Sequence, residues 1–401
     1  MGNYSTVRNS IIAIISYFLI LHVILPGGYY LYNGFRPIYS DFEDLDALLK
    51  AIYIIVVPLV ISAVVLYFLP QRDEIIAPNI EGKPVTFIFY FSVLLKLAIV
   101  YATGGFAAAV TGELNGTFVN YLSIFFNPFT LLLAMLFTQK KKSNIILAVV
   151  FYVLSVTLSG SRSGIISIFF VFFIGFSFVI FRDYKKKLFV FLKYGILVTP
   201  IIFVLATRMR DSEYDISIDF LLDQIFGRMS TLETSMLPIH YLDNNLELET
   251  FYDKFSMWHQ FKLSIDAILP GQIFEFDVMP NNYYRHIFLG YEKEFVVENY
   301  MSINLTLPIY LYMKYQYFAI PLTILYMLGF YWLIVAFRKY PLAVIVLLGV
   351  FYNLIYFFDW VMVFMQFYTS LLTIITLKGY LLVVEAFKID FKRIKDNEVT
   401  D

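Results

Sequence analysis

Apolar runs of about 20 residues are the feature that most limits how this chain can fold. The first extends from Ile11 to Tyr30, and similar runs follow along most of the 401 residues. A run of this length crosses a bilayer as a helix, whereas the strands of a membrane barrel are shorter and alternate in polarity. The composition agrees, because 60% of the residues are hydrophobic and only 15% are charged. The sequence therefore predicts an all-α polytopic membrane protein.

About 10 transmembrane helices are predicted, with a range of 10 to 12. They lie near residues 10–30, 47–69, 85–103, 119–138, 145–160, 164–181, 188–206, 317–337, 342–358 and 361–379. The first run has no small-x-small cleavage site near its end, so we interpret it as a retained helix rather than a signal peptide. The chain has no cysteine, which excludes disulfides, thiolate nucleophiles and cysteine-ligated metals.

Lysine and arginine in the short connections predict the orientation, because they favour the cytoplasmic side. With a cytoplasmic N-terminus, seventeen of them lie in the inner segments, and the short outer connections hold only Arg36 and Arg162. The segment 302–318 is apolar enough to be a further span, but counting it as one would place the basic tail outside. We therefore interpret it as an outer helix that lies at the interface or is re-entrant.

This orientation divides the chain into four parts. Seven transmembrane helices occupy residues 1–206, and residues 207–316 form a large outer loop with an interfacial helix. Residues 317–379 form three further transmembrane helices, and 380–401 form a cytoplasmic tail. The outer loop contains three of the four histidines, so side chains capable of proton chemistry are concentrated outside.

An arginine stands in the outward turn SGSRSG, against the positive-inside bias. Ser161 and Ser163 can cap the following helix, and Gly160 and Gly164 allow close backbone approach. Together with Arg162 they predict a pocket suited to phosphate, which the guanidinium and the backbone N–H groups would bind. The alternative is a tight turn in which Arg162 only anchors two helix ends at the interface.

Three further arginines lie beyond the seventh span, at Arg208, Arg210 and Arg228. Each could separately anchor the interface or pair with a neighbouring acid. Four outer arginines make a shared anion site the better hypothesis, with Arg162 as the fourth member.

Two short stretches of the outer loop, WHQF and NNYYRH, combine aromatic rings, amides and histidines. Such mixtures bind sugars, since rings stack on their CH faces and amides pair with their hydroxyls. The same composition also describes an ordinary membrane-proximal domain. The candidate residues are Trp258, His259, Asn281, Asn282, Tyr283, Arg285 and His286.

Acidic residues crowd the first outer loop, at Asp41, Glu43, Asp44 and Asp46. We interpret this loop as solvated, although acids in such a position bind metal or activate an acceptor in many lipid-linked sugar transferases. Lys50 lies near the end of a span and can reach the interface. Lys96 lies well inside a predicted span, where a charge is unfavourable, so we expect it either to face a cavity or to pair with another group of the protein.

Three segments resemble the O-antigen (oligosaccharide repeat-unit) polymerases of the Wzy family, which are related to the O-antigen ligases. They are the hairpin LSGSRSG at Leu158–Gly164, the large outer loop at Thr207–Tyr300, and the polar-headed helix that follows it at Val296–Leu322. Together they cover roughly residues 145–337. The earlier spans match only in being hydrophobic.

The resemblance implies a glycosyltransferase of the bacterial inner membrane, with the large loop in the periplasm. Such an enzyme polymerises undecaprenyl-diphosphate-linked repeat units, and lipid diphosphate is the leaving group. Donor and acceptor are both lipid-linked glycans, a flippase and a chain-length regulator are possible partners, and no cofactor, metal or nucleic acid is implied. Arg162, Arg208, Arg210 and Arg228 would bind the diphosphate.

The general base remains open among Glu298, His286 and His259. The polar head of the late helix reads Glu298–Asn299, without the histidine that ligases often carry, which favours a polymerase over a ligase. The arginine-x10-glycine pattern of some polymerases is absent at the outer arginines. An O-antigen ligase or another lipid-linked sugar transferase is the first alternative. A repeat-unit flippase ranks lower, since it should show two related halves and no large outer domain.

Overall fold

The computed structural model describes residues 6–32, 44–69, 82–102, 124–138, 142–158, 222, 226–227, 230–244, 257–268, 273–274, 280–292, 295, 303, 305–356 and 358–398. Helix accounts for 90% of the described residues, and none of them forms a strand. The predicted all-α class is therefore confirmed. The predicted spans 164–181 and 188–206 lie outside the described residues.

Thirteen α-helices are distinguished in the described part of the chain. They are α1 Val7–Phe18, α2 Leu25–Tyr32, α3 Leu45–Phe68, α4 Gly82–Ala102, α5 Pro128–Thr138, α6 Lys142–Leu158, α7 Leu232–Asp243, α8 Met257–Ile268, α9 Pro280–Leu289, α10 Leu307–Tyr315, α11 Ala319–Ala336, α12 Pro341–Tyr356 and α13 Trp360–Glu398. A π-helical segment, Leu19–Ile24, joins α1 to α2, and a 3₁₀ turn, Gln316–Phe318, joins α10 to α11.

Five helical stretches within the described residues are long and apolar enough to cross a membrane. They are Val7–Tyr32, Leu45–Phe68, Gly82–Ala102, Leu307–Ala336 and Val363–Phe387. Shorter apolar helices cover Ser143–Val156 and Pro341–Tyr356. The chain thus has the helices of a multi-pass membrane protein, while the count of ten spans and the periplasmic domain stay predictions.

Helix α3 is the centre of one group of helices and packs against α1, α7, α10 and α11. Its N-terminus is capped by Asp44, whose carboxylate accepts the N–H of Ala47 at 2.9 Å. At its other end the guanidinium of the buried Arg8 donates to the carbonyls of Tyr67 and Leu69, at 3.1 and 2.9 Å. A cation there satisfies carbonyls that a helix C-terminus leaves without partners, and it makes α1 and α3 antiparallel neighbours.

A second group contains α4, α5, α6 and α13, and α12 joins it to the first because it packs against α1, α5 and α13. Polar contacts tie α5 to α13. The hydroxyls of Thr130 and Ser370 lie 3.1 Å apart, and the N–H of Asn127 donates to the hydroxyl of Thr373 at 3.1 Å. Hydroxyl side chains of this kind hydrogen-bond neighbouring helices where the surroundings are apolar.

Pro26 lies just after the π-helical segment. An α-helix would pair the carbonyl of His22 with the N–H four residues later, but proline has none. The carbonyl of His22 instead accepts the backbone N–H of Thr231 at 3.2 Å and its hydroxyl at 3.3 Å. The residue immediately before α7 is therefore joined to the interior of the first membrane helix.

Helix α7 belongs to the predicted outer loop, yet it packs inside the bundle. A Cβ added at Gly27 would meet the side chain of Leu232 at 3.2 Å and that of Ile52 at 4.0 Å, so the start of α7 lies beside this part of α3. Its last turn lies beside Asp44, where His240 pairs with the carboxylate. Helix α7 thus runs antiparallel to α3 and begins about 12 Å along the axis from the N-terminus of α3, at 1.5 Å per residue.

The segment predicted as an outer helix at 302–318 contains α10. Most of α10 is buried, and it packs against α3, α7, α11 and α12. Gln316, with φ of 49°, follows it, and the 3₁₀ turn leads into α11, so that α10 and α11 lie in one apolar stretch, Leu307–Ala336. The expectation that 302–318 lies at the interface or is re-entrant stays a prediction.

Candidate functional site

The contact between α3 and α7 gathers ionisable side chains at one end of the apolar helices. We call this group the α3–α7 cluster, and it consists of Asp44, Lys50, His240, Asp243 and Asn244. The charge bias of the connections predicts that this end of α3 is the outer one. One ion pair, Lys50–Asp243, and one carboxylate–imidazole hydrogen bond, Asp44–His240, cross the contact, so both helices contribute to each.

Asp44 and His240 form the first pair, with Nδ1 of the imidazole 2.5 Å from Oδ2 of the carboxylate. The side chains are 29% and 26% exposed, so the pair is reachable from solvent but largely enclosed. The amide nitrogen of Asn244 donates to Nε2 of His240 at 3.0 Å. Because Nε2 accepts there, the imidazole proton lies on Nδ1 and is donated to Asp44.

The N–H of Ala47 and then the imidazole of His240 hold the pKa of Asp44 below its usual value. Both hydrogen bonds favour the ionised carboxylate. Asp44 is therefore more than the solvated loop residue expected from the sequence: it caps α3 and carries a fixed charge against His240.

Lys50 and Asp243 form the second pair, at 2.6 Å. The ammonium also lies 5.6 Å from the centre of the Tyr312 ring on α10. The sequence suggested that Lys50 reaches the membrane interface, whereas the structure pairs it with the last residue of α7. Among the described residues, no group of three or more His, Asp or Glu side chains could hold a metal ion.

A buried carboxylate lies at the start of α7. Glu233 is only 1% exposed, and the hydroxyl of Tyr30 donates to it at 3.2 Å. Burying a carboxylate costs free energy unless hydrogen bonds or opposite charges compensate for the lost hydration. The first turn of α7 therefore has a second polar attachment to the helix that contains the π segment.

Helices α8 and α9 meet the N-terminus of α13 at a buried polar group. The side chain of Gln260 accepts the N–H of Trp360 at 2.9 Å, and Asp359 caps α13 by accepting the N–H of Val361 at 2.8 Å. Burial, together with the nearby carboxylate of Asp359, raises the pKa of Tyr284 well above its usual range. The structure thus brings α8 and α9 to one end of α13.

Two of the residues predicted to bind substrate or transfer protons, Trp258 and His259, lie in the first turn of α8. Trp258 is 64% exposed, stacks on Phe261 at 5.5 Å and has the ammonium of Lys262 at 5.6 Å from its ring. His259 is half-buried. An exposed, positioned indole of this kind can stack on a sugar.

The second predicted sugar-binding stretch forms most of α9. The rings of Tyr283 and His286 lie 5.6 Å apart, and Nδ1 of His286 donates to the carbonyl of Tyr291 at 2.6 Å. Asn281, Asn282 and Arg285 lie on the same helix. Two residues of this stretch are therefore in ring contact.

The remaining predicted site residues lie outside the described residues: Ser161, Arg162, Ser163, Arg208, Arg210, Arg228 and Glu298. Their roles stay predictions. The sequence missed the pairing of Asp44 with His240, which are 196 positions apart. A local signal was visible, because an acid just before an apolar run is a helix N-cap. Nothing local indicated its partner.

Comparisons with protein-family models, curated proteins and solved structures found no match to this chain.

Proposed function

We propose that the protein polymerises undecaprenyl-diphosphate-linked oligosaccharide repeat units into O-antigen polysaccharide at the periplasmic face of the bacterial inner membrane. The reaction is a glycosyl transfer in which lipid diphosphate leaves the anomeric carbon of the donor glycan. The observation that carries the proposal is the α3–α7 cluster, because it places a carboxylate–imidazole pair at the predicted outer end of apolar helices. A lipid-linked substrate presents its reacting sugar at such a boundary.

Two chemical requirements have candidates in the chain. The departing diphosphate develops negative charge, which fixed guanidinium groups stabilise, and the outer arginines Arg162, Arg208, Arg210 and Arg228 are proposed for this role. The acceptor hydroxyl needs a base within hydrogen-bond reach. The outer segments supply histidines and carboxylates for it, and the exposed Trp258 supplies a surface for the glycan.

Deletion of the gene tests the proposal. A lost polymerase leaves surface lipid carrying a single repeat, whereas a lost ligase leaves polymer on the lipid carrier. A lost flippase leaves single repeats on the carrier at the cytoplasmic face. Either of the last two phenotypes would overturn the proposed function in favour of that alternative.

Complementation then tests the diphosphate site. With expression verified, Arg162→Ala should leave only single-repeat glycan. Arg36→Ala is the matched control, since Arg36 is the other arginine in the short outer connections. Normal long chains from the Arg162 variant would remove this residue from the site.

A further inference from the structure

We propose that His240 is the general base that deprotonates the acceptor hydroxyl, and that Asp44 positions and polarises it. This inference rests on the proposed function and deepens it, because the sequence left the base open among three other residues. The two side chains come from different predicted outer segments, and only the packing of α7 on α3 brings them together.

The direction of the hydrogen bonds carries the assignment. Nδ1 of His240 holds the proton and donates it to Asp44, so the lone pair lies on Nε2. At present Nε2 accepts from the amide of Asn244, which is exposed. A hydroxyl that replaces this amide would donate to the same lone pair. The lone pair of Nε2 is thus held by a side chain at an exposed position.

The proton and electron balance is simple. The acceptor hydroxyl transfers its proton to Nε2 of His240 while its oxygen bonds to the anomeric carbon of the donor. The bond from that carbon to the diphosphate oxygen breaks, and the lipid diphosphate leaves with the electron pair. The imidazolium is stabilised by the carboxylate of Asp44 and afterwards returns its proton to water or to the diphosphate.

Asp44 and His240 are each held in place by further contacts. Asp44 is fixed by its bond to the N–H of Ala47, and the last turn of α7 is fixed by the Lys50–Asp243 pair. His286 provides a contrast, because its Nδ1 donates to a backbone carbonyl. A carbonyl orients the ring, but a carboxylate also stabilises the positive charge that a base acquires.

The test uses the full-length protein purified in detergent and the native lipid-linked glycan extracted from the deletion strain. Chain extension is measured at several glycan concentrations. His240→Ala should lower kcat about 10²–10⁴-fold, the usual contribution of a general base, with KM little changed. His240→Gln keeps an amide that can donate to Asp44, and it should fold and show the same loss. Imidazole added to the Ala variant should restore part of the rate.

Asp44→Asn tests the positioning role. Asparagine still caps a helix, so α3 is preserved. Its amide can also rotate to donate to Nδ1, which would move the imidazole proton to Nε2 and abolish its basicity. We expect kcat to fall with KM unchanged. Glu292→Gln is the matched control, because it makes the same carboxylate-to-amide change at an exposed position and should retain full activity.

Three results would separate the possible failures. If the wild-type protein does not extend the glycan, the proposed function is overturned, and with it this role. If the wild type extends it and both His240 variants do so within threefold, only the role of His240 is overturned. A larger kcat loss in His286→Gln or His259→Gln than in His240→Gln would assign the base to that residue instead.

Discussion

Removing the hydroxyl of Thr231 should weaken the docking of α7, but only while Pro26 is present. Residue 26 is proline and offers the carbonyl of His22 no N–H, and Thr231 donates both an N–H and a hydroxyl to that carbonyl. Thr231→Val deletes the hydroxyl and keeps the shape. Pro26→Ala supplies the missing N–H within the helix, which makes the hydroxyl redundant.

The magnitude follows from the geometry. A neutral hydrogen bond contributes about 0.5–1.5 kcal/mol, and the hydroxyl bond here is long at 3.3 Å but lies on a side chain only 2% exposed. We therefore expect Thr231→Val to lower the free energy of unfolding by about 0.5–1 kcal/mol. In the Pro26→Ala background the loss should fall below about 0.3 kcal/mol, which is within the usual error of additivity.

The assay is a double-mutant cycle measured by reversible unfolding in mixed detergent–SDS micelles. Wild type, both single variants and the double variant are compared for the coupling energy between Pro26 and Thr231. A coupling near zero, with Thr231→Val costing the same in both backgrounds, would refute the proline-based explanation of the contact.

Three further predictions concern stability in detergent. Because the folded-state pKa of Asp44 is lowered, Asp44 stabilises the protein above its unfolded pKa of about 3.9, and this stabilisation is lost as the pH falls through the folded pKa. Thermal scans between pH 7 and 3 should show a steeper fall of the melting temperature for wild type than for Asp44→Asn. Arg8→Met should cost about 1.5–3 kcal/mol of unfolding free energy, and the exposed Lys83→Met almost nothing. Gly27→Val should lower the melting temperature by displacing the start of α7, whereas Gly28→Ala, with open space around it, should not.

The sequence predicted the helices well where burial in lipid determines them. The run that became α3 was expected at 47–69 and is found at Leu45–Phe68, because a long apolar stretch has few alternatives to a membrane helix. The run expected at 119–138 is interrupted within the described residues, because residues 124 and 125 are helical and a separate helix begins at Pro128. Hydropathy marks where apolar residues occur but does not mark where a proline or a cap starts a helix.

Helix α7 shows why the candidate site was harder to predict. Its buried residues include Leu232, Met236 and Ile239, which have helical spacing. They occur in the segment Thr207–Tyr300, which has nine more acidic than basic residues. A periodic apolar face predicts that one side of a helix packs against other parts of the protein, but it does not identify the helix it packs against. The pairing of Asp44 with His240 follows from that tertiary contact, so a single sequence could indicate each residue but not the pair.

Helix α7 is attached at both ends, although it comes from the predicted outer loop. At its start, the N–H and the hydroxyl of Thr231 donate to the carbonyl of His22, and each neutral hydrogen bond contributes about 0.5–1.5 kcal/mol. At its end, the Lys50–Asp243 ion pair and the Asp44–His240 hydrogen bond join it to α3, but a partly exposed ion pair contributes about 1 kcal/mol or less. The stronger attachment is therefore the buried one at the π segment, and the polar pairs at the other end set orientation rather than affinity. This division holds His240 in place, while the Asn244 amide that its Nε2 accepts lies at an exposed position.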